Sequence, residues 1–446
     1  MKISTMPIAT NNIHELHGEV DFILKKLEHS NNKEIYFDIK KLIDKYPKSS
    51  VPLKLMAIAL DRNCDYSRAL LILNEALKID PNDSEIYNNL ATIFKKIKNY
   101  SEAIKFYDYA IKINPIYCDA YNNKGVLLHD SSNYNEAIIN FKKAIEINPF
   151  KAEVYSNYGI TLQVLGNISQ AIEIFNKAIK IDPNLFQPNN NLANLYLSQM
   201  NDTKAKIYIE KSLSLNPNSS EVNYNIAVYS YLKNENKNAI KFLEIAKSLD
   251  GNNFIYNISH KILTANKTLA NKNFDYVKLK HEICNDWINP LTSTPVKNLD
   301  FTSKIDARYG SGLCTLDFTL FQNSNEFINN IEKILIDKLK NEFEADIFIC
   351  DSFVNIINNG GTVIHDHIRD HDKFFGLAAH KYSLVYYLDV GDQTSSKPGY
   401  LKIYDPDFEI LPQNGDILII SASRKHSSIY DGIKDRVMIG VNFYIY

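Results

Sequence analysis

Along the first half of the chain, small and apolar residues recur in fixed phase every 34 positions. Ala69, Ala103, Ala137, Ala171, Ala205 and Ala239 form one series; Ala76, Ala110, Ala144, Ala178, Ser212 and Ala246 form a second. A third runs Ala91, Gly125, Gly159, Ala193, Ala227, and prolines stand at 47, 81, 115, 149, 183 and 217, with Gly251 in the next slot. Short side chains at regular places are what close-packed helix pairs require, because backbones approach only where side chains are small. Each proline follows a phrase such as "ALKIDP" or "AIEINP", where it stops one helix and prepares the next. The pattern predicts a stack of two-helix units, each burying its apolar face only against its neighbours.

After Gly251 the period fails. "NISHKILTANKTLANKNFDYVKLKHEICNDW" reads as helical and is expected to cover the last apolar face of the stack, and "NPLTSTPVKN" (289–298) is the linker candidate. Farther on, "EFINNIEKILIDKLKNEF" predicts one amphipathic helix. Short β-rich runs follow: "DIFICDSFVNII", "YSLVYYLDV", "GYLKIYD", "DILIISAS" and "VMIGVNFYIY", with turn signals at "NNGG", "SSKPG" and "PQNGD". Many short strands with tight turns predict an antiparallel barrel or a double-sheet jelly roll. The expected fold class is multidomain α + β: a helical cap over 1–34, a repeat array over 35–258, capping helices and linker over 259–298, and a β domain over 299–446.

Composition narrows the function. A chain of 446 residues with 45% hydrophobic and 23% charged residues is ordinary globular stock. A formal net charge of -2 argues against a nucleic-acid partner, which demands surplus Lys and Arg. The start carries no apolar stretch of signal-peptide length and no later run is long enough to span a membrane, so no membrane association is expected. Five scattered cysteines without a CxxC fit reduced thiols, hence a cytoplasmic location.

The phrases "YNNLA", "YNNKG" and "YSNYG", with "YSEAIKFYDYAIKINP", resemble the two helices of tetratricopeptide repeats. In the superhelix that this resemblance implies, first helices line the concave face. Asn89, Asn123, Asn157, Asn191 and Asn225 fall on those helices, again 34 apart. Amides donate and accept, which suits gripping the backbone of an extended peptide, so these five are candidate substrate-binding residues and the expected partner is a protein or peptide. The competing reading is a plain hydrogen bond to the neighbouring helix.

Candidate chemistry concentrates in "HDHIRDHD" (365–372), then His426, then Arg436 ten residues later at the start of the last β-rich run. With the "YSLVYYL" and "PGYLKIYDP" stretches between, this order resembles 2-oxoglutarate- and Fe(II)-dependent oxygenases, nearest their prolyl-hydroxylase-like branch. The resemblance implies a jelly-roll (double-stranded β-helix) domain, Fe(II), 2-oxoglutarate and O2. Such iron is commonly held by two histidines and a carboxylate on one face. The usual His-x-Asp is missing here. On a strand His365 and His367 project to one side, so the favoured ligand set is His365, His367 and His426, with Asp372 or Asp370 as alternative carboxylate. Arg436 is placed to fork onto the free carboxylate of the co-substrate, with Asn442 on the same strand face. Tyr387 matches the prolyl-hydroxylase tyrosine that hydrogen-bonds that carboxylate, although a core aromatic would look the same. The leading expectation is a dioxygenase acting on a polypeptide delivered by the repeats. The alternatives are a repeat scaffold whose jelly roll binds metal or ligand without turnover, and a small-molecule hydroxylase.

Overall fold

The computed structural model describes residues 10–29, 33–264, 276–280, 301–302, 313–315, 320–322, 326–357, 360–404, 407–432, 434 and 436–446. The chain divides into two compact units, Met1–Leu192 and Ala193–Tyr446. The division falls inside a repeat helix, so the last repeats group with the sheets.

Helices α1 (Thr10–His29) and α2 (Lys33–Lys45) precede six helix pairs. These are α3 and α4 (Val51–Arg62, Tyr66–Ile79), α5 and α6 (Ser84–Lys96, Tyr100–Ile113), α7 and α8 (Cys118–Asp130, Tyr134–Ile147), α9 and α10 (Ala152–Val164, Ile168–Ile181), α11 and α12 (Phe186–Ser198, Asp202–Leu215), and α13 and α14 (Ser220–Leu232, Asn236–Leu249). Helix α15 (Phe254–Thr264) follows. The two alanine series predicted to sit between helices are fully buried. In the third series, a side chain on Gly125 or Gly159 would collide with Phe141 or Phe175, while the repeats with Ala193 and Ala227 carry the slimmer Ile209 and Leu243 sixteen residues on. Every first helix ends on a left-handed residue, and only one is glycine: Cys64, Lys98, Ser132, Gly166, Met200 and Asn234. Asp65, Asn99 and Asn201 then cap the second helices, each accepting from the backbone N–H three residues on.

The β region forms two antiparallel sheets. Strands β1 (Val277–Lys280), β2 (Phe301–Thr302), β3 (Leu313–Thr315), β4 (Ile347–Ile357), β6 (Lys381–Asp389), β9 (Asp416–Ser421) and β11 (Arg436–Ile445) make the larger, in the order β1-β9-β6-β11-β4-β3-β2. Strands β5 (Gly360–His365), β7 (Pro398–Ile403), β8 (Phe408–Ile410) and β10 (His426–Tyr430) make the smaller, in the order β5-β10-β7-β8. Helix α16 (Glu326–Phe343) covers one face of the larger sheet, against Leu384, Ile417, Val437, Ile439 and Phe443. The other face meets the smaller sheet through a second core: Ile357, Tyr387, Leu418, Ile420 and Met438 pack with Leu401, Ile403, Ile410 and Tyr430. Period-2 alternation on β11 separates the two cores, since odd positions face the helix and even positions the smaller sheet.

One expected element changes class. Residues 277–280, expected within a helical cap, form β1 on the edge of β9. "VKLK" alternates with period 2, and Lys278 and Lys280 both reach the buried Asp416 carboxylate on β9, which an edge strand permits and a separate helix would not. The expected linker at 289–298 lies outside the described residues.

Candidate metal centre

Strand pairing brings the histidines together. His365 closes β5 and lies directly opposite His426, the first residue of β10, which on its other side pairs with Ile403 of β7. The strand ends at His365. Asp366 then turns its carboxylate onto the N–H of Ile368 (3.1 Å), and the His367 N–H donates to the Ala422 carbonyl (2.9 Å). His367 therefore joins the cluster from just beyond the end of β5. Nε2 of His367 and Nε2 of His426 are 3.3 Å apart, and one nitrogen from each of the three rings lies within 4.8 Å of the others. Two metal–nitrogen bonds of about 2.1 Å meeting at a normal coordination angle would separate their nitrogens by about 3.0–3.4 Å. The donor set fits a divalent transition metal.

His426 is also oriented for that role. Its Nδ1 is 3.0 Å from the Arg424 carbonyl, which only accepts, so Nδ1 carries the hydrogen and Nε2 presents its lone pair to the cluster. Burial, reinforced by the neighbouring His365, pushes its pKa down to about 4, leaving a neutral ring at physiological pH.

The alternative carboxylate stands elsewhere. Asp372 is buried against Lys381 (2.8 Å), accepts from the Tyr444 hydroxyl, and caps the Arg369 N–H (2.7 Å). It does not join the histidines. Asp370 begins a short 3-10 turn (Asp370–Lys373), and its side chain lies outside the described residues. His371 contacts Tyr444 and Asp372, and His380 faces the Ile445 carbonyl, so neither enters the cluster.

Arg436 opens β11 and is fully buried. Its guanidinium lies over the rings of Tyr387 (5.1 Å) and Tyr430 (5.3 Å), and Nη1 donates to the Gly399 carbonyl (2.8 Å). Gly399 sits at φ +81 and a Cβ there would strike Nη1, so this glycine makes room for the arginine. Among the described residues no carboxylate pairs with Arg436, and its Nε and Nη2 have no hydrogen-bond partner. Asp431, five residues before Arg436, is held by Ser396 and the Lys397 N–H, and Asp435 is outside the described residues. Ser428 Oγ, 3.5 Å from Nη1, is two residues from His426, so the guanidinium rests against the strand that carries His426.

Asn442 shares the inward face with Arg436 but stands six residues away, about 20 Å along the strand. Its Nδ2 donates to Asp351 (3.3 Å), which is also paired with Arg369 (2.7 Å). The guanidinium and this amide are thus at opposite ends of the face. Of the asparagine series, Asn123 Nδ2 donates to Asn88 of the preceding repeat (3.1 Å) and Asn157 Nδ2 to Asn122 (3.0 Å). Both link the first helices of neighbouring repeats. Asn89, Asn123, Asn157 and Asn191 are half-buried and Asn225 is buried.

Sequence reasoning missed Gly399, Tyr430 and Asp351. Gly399 was legible as a special backbone position but not as the neighbour of Arg436; one tyrosine among 28 carries no signal of its own.

Residues 84–117, 118–151, 152–185 and 186–219 each match family models described as tetratricopeptide repeat, so this part of the chain consists of such repeats. Similar solved structures include a tetratricopeptide repeat protein from Parabacteroides merdae (18% identity, 56% of this chain and 100% of that one, TM-score 0.46). PilF of Pseudomonas aeruginosa (18%, 47% and 95%, TM-score 0.41) is another, as is YrrB, described as having an unusual peptide-binding site (20%, 43% and 97%, TM-score 0.32). No curated protein matches the chain in sequence. Among the described residues no helix is long and apolar enough to cross a membrane.

Proposed function

We propose that this chain is a 2-oxoglutarate- and Fe(II)-dependent dioxygenase with a jelly-roll catalytic domain, hydroxylating a polypeptide held by its tetratricopeptide repeats. One observation supports this above all. A fully buried guanidinium that no carboxylate among the described residues pairs faces the same inter-sheet space as three convergent imidazoles. A buried charge is tolerated when it is paired, and a ligand carboxylate would supply the partner that no described residue does. Three neutral imidazoles leave the full charge of a divalent metal unbalanced as well. The ligand class that satisfies both ends is a short dianion, one end on the metal and one carboxylate in the fork of Arg436.

His365, His367 and His426 would hold iron, which supplies O2 activation when bound. Arg436, with Tyr387 and Tyr430 flanking it, fixes the distal carboxylate of 2-oxoglutarate and so orients its oxo acid end toward the histidines. The apolar wall of Leu401, Ile403, Leu418 and Met438 excludes water from that contact. Protein binding is the ordinary business of such repeats, and the amides of Asn89, Asn123, Asn157, Asn191 and Asn225 are the proposed peptide contacts. The half-buried amides that already link repeats keep lone pairs and hydrogens to offer.

The test is anaerobic loading with Fe(II), addition of 2-oxoglutarate and O2, and measurement of succinate. Turnover that needs iron and disappears in His426→Ala supports the proposal. One metal per chain without succinate formation leaves a repeat protein whose sheets bind metal without catalysis.

A further inference from the structure

The inward face of the larger sheet changes character along its length. Near Arg436 it is mostly apolar, with Ile357, Tyr387, Leu418 and Met438 and with Asn355 opposite Met438; toward the other end it carries Asp351, Ser383 and Asn442, all buried. Asn442 lies opposite Asp351 on one side and Ser383 on the other. The Asp351 carboxylate demands a donor, so Nδ2 of Asn442 faces it and Oδ1 points away. That Oδ1 is buried and has no hydrogen-bond partner among the described residues, and the residue is only 2% exposed. This polar end adjoins the histidines. Arg369, two residues beyond His367, pairs with Asp351, while the His367 N–H rests on Ala422, whose own N–H bonds Lys381, two residues before Ser383.

Building on the oxygenase reading, we propose that Asp351, Arg369 and Asn442 form the substrate subsite beside the metal centre, and that it seats a neutral N–H-bearing group, a side-chain carboxamide or peptide amide. The Asp351 and Arg369 charges cancel, so the subsite has no net charge to attract an acid or a base. What it offers is an acceptor, Asn442 Oδ1, held at a fixed angle by its own donation to Asp351. A buried acceptor left unpaired is a cost that a substrate donor removes, and a substrate lacking that donor is rejected because the acceptor stays unpaired.

Asn442→Leu separates this role from a structural one, since Asp351 keeps Arg369. The variant should melt within about 1 °C of the parent or higher, because the unpaired oxygen is gone. It should keep Co(II) binding, read as metal per chain after dialysis. Probes are blocked Ala/Gly host peptides carrying one central Asn, Gln, Asp or Glu. The Asn and Gln peptides should stimulate the parent, and stimulation should fall at least about tenfold in Asn442→Leu. A melting point several degrees lower, stimulation by no peptide or equally by the acidic ones, or undiminished stimulation in the variant each overturns the subsite. A parent that forms no succinate at all sinks the oxygenase reading instead. The subsite is then judged by melting alone: the Asn peptide must raise the melting point of the parent and not of Asn442→Leu.

Discussion

Replacing Arg436 tests the charge-balance argument most directly. In the free protein the guanidinium gains a charge-assisted bond to the Gly399 carbonyl and two ring faces, at the cost of two unpaired nitrogens, Nε and Nη2, in a dry core. The bond contributes about 1.5–3 kcal/mol and each ring face about 0.5–2 kcal/mol, against about 1–3 kcal/mol for each of the two unpaired nitrogens, so the two sides nearly cancel. Arg436→Met, which roughly preserves volume, should therefore leave the melting point of the free protein little changed. Binding should behave very differently. A dicarboxylate entering without its cation leaves a buried carboxylate unpaired, a loss of about 3–5 kcal/mol, or two to nearly four decades in Kd. Arg436→Lys keeps the charge and loses the fork, so it should fall between. The assay is isothermal titration of 2-oxoglutarate into Co(II)-loaded protein without oxygen. Gly399→Ala offers a second route, because its methyl would displace Nη1 while leaving the arginine in place. Binding by Arg436→Met within a few-fold of the parent would falsify the argument.

Other perturbations probe other links. His426→Ala should lose metal binding, read as metal per chain after dialysis, while its circular dichroism stays that of the parent; unchanged stoichiometry removes His426 from the ligand set. His371, against Tyr444, Asp372 and Phe254 and near Lys381, Arg369 and Asp351, has its pKa lowered to about 4, chiefly by burial. Its folded pKa lies below the unfolded value, so its contribution is present above about pH 6.5 and is lost as pH falls toward 4, by about 2 kcal/mol between pH 7 and 5. Denaturation of His371→Gln at both pH values should show a correspondingly smaller loss. Asn123, Asn157 and Asn191 replaced together by Ala should cost about 1–3 kcal/mol in urea melts, since two inter-repeat bonds disappear, and should lower only substrate-stimulated turnover. Gly125→Ala should destabilise by about 1–3 kcal/mol, because Phe141 must give way.

The repeats were legible because each one solves the same packing problem with the same short residues. Even the turn between helices keeps phase, although only Gly166 shows in sequence that the position is left-handed, and Lys98 or Met200 in that slot gives no hint. The long strands were legible from alternation, and so was helix α16. Strands β8 and β10 were not, because "FEI" and "HSSIY" are short or polar and owe their place to the strands beside them; β5 entered only as the strand expected to carry His365. That matters for the site, since two of the histidines meet only because β5 and β10 pair. The sequence reading reached the same three residues by expecting His367 to continue the strand, whereas β5 ends at His365. Asn442 was assigned to Arg436 by parity alone, which tells the face and not the distance.

The position of the second histidine gives the last step. His367 stands two residues after His365, where the usual signature has an aspartate, and no carboxylate among the described residues replaces it. The one buried acid expected to do so, Asp372, is committed to Lys381 and Tyr444, which tie the segment after His367 to the ends of β6 and β11. The inter-sheet space thus faces one buried guanidinium and a neutral donor set. With a divalent metal bound, three positive charges would lie within roughly two strand repeats of each other in low dielectric. Repulsion of that size makes the metal and the anion bind cooperatively: each weakens the other's desolvation cost. Dianion affinity should then depend on metal occupancy more steeply than in a site whose aspartate already cancels one charge, and His367→Asp is the substitution that measures the difference.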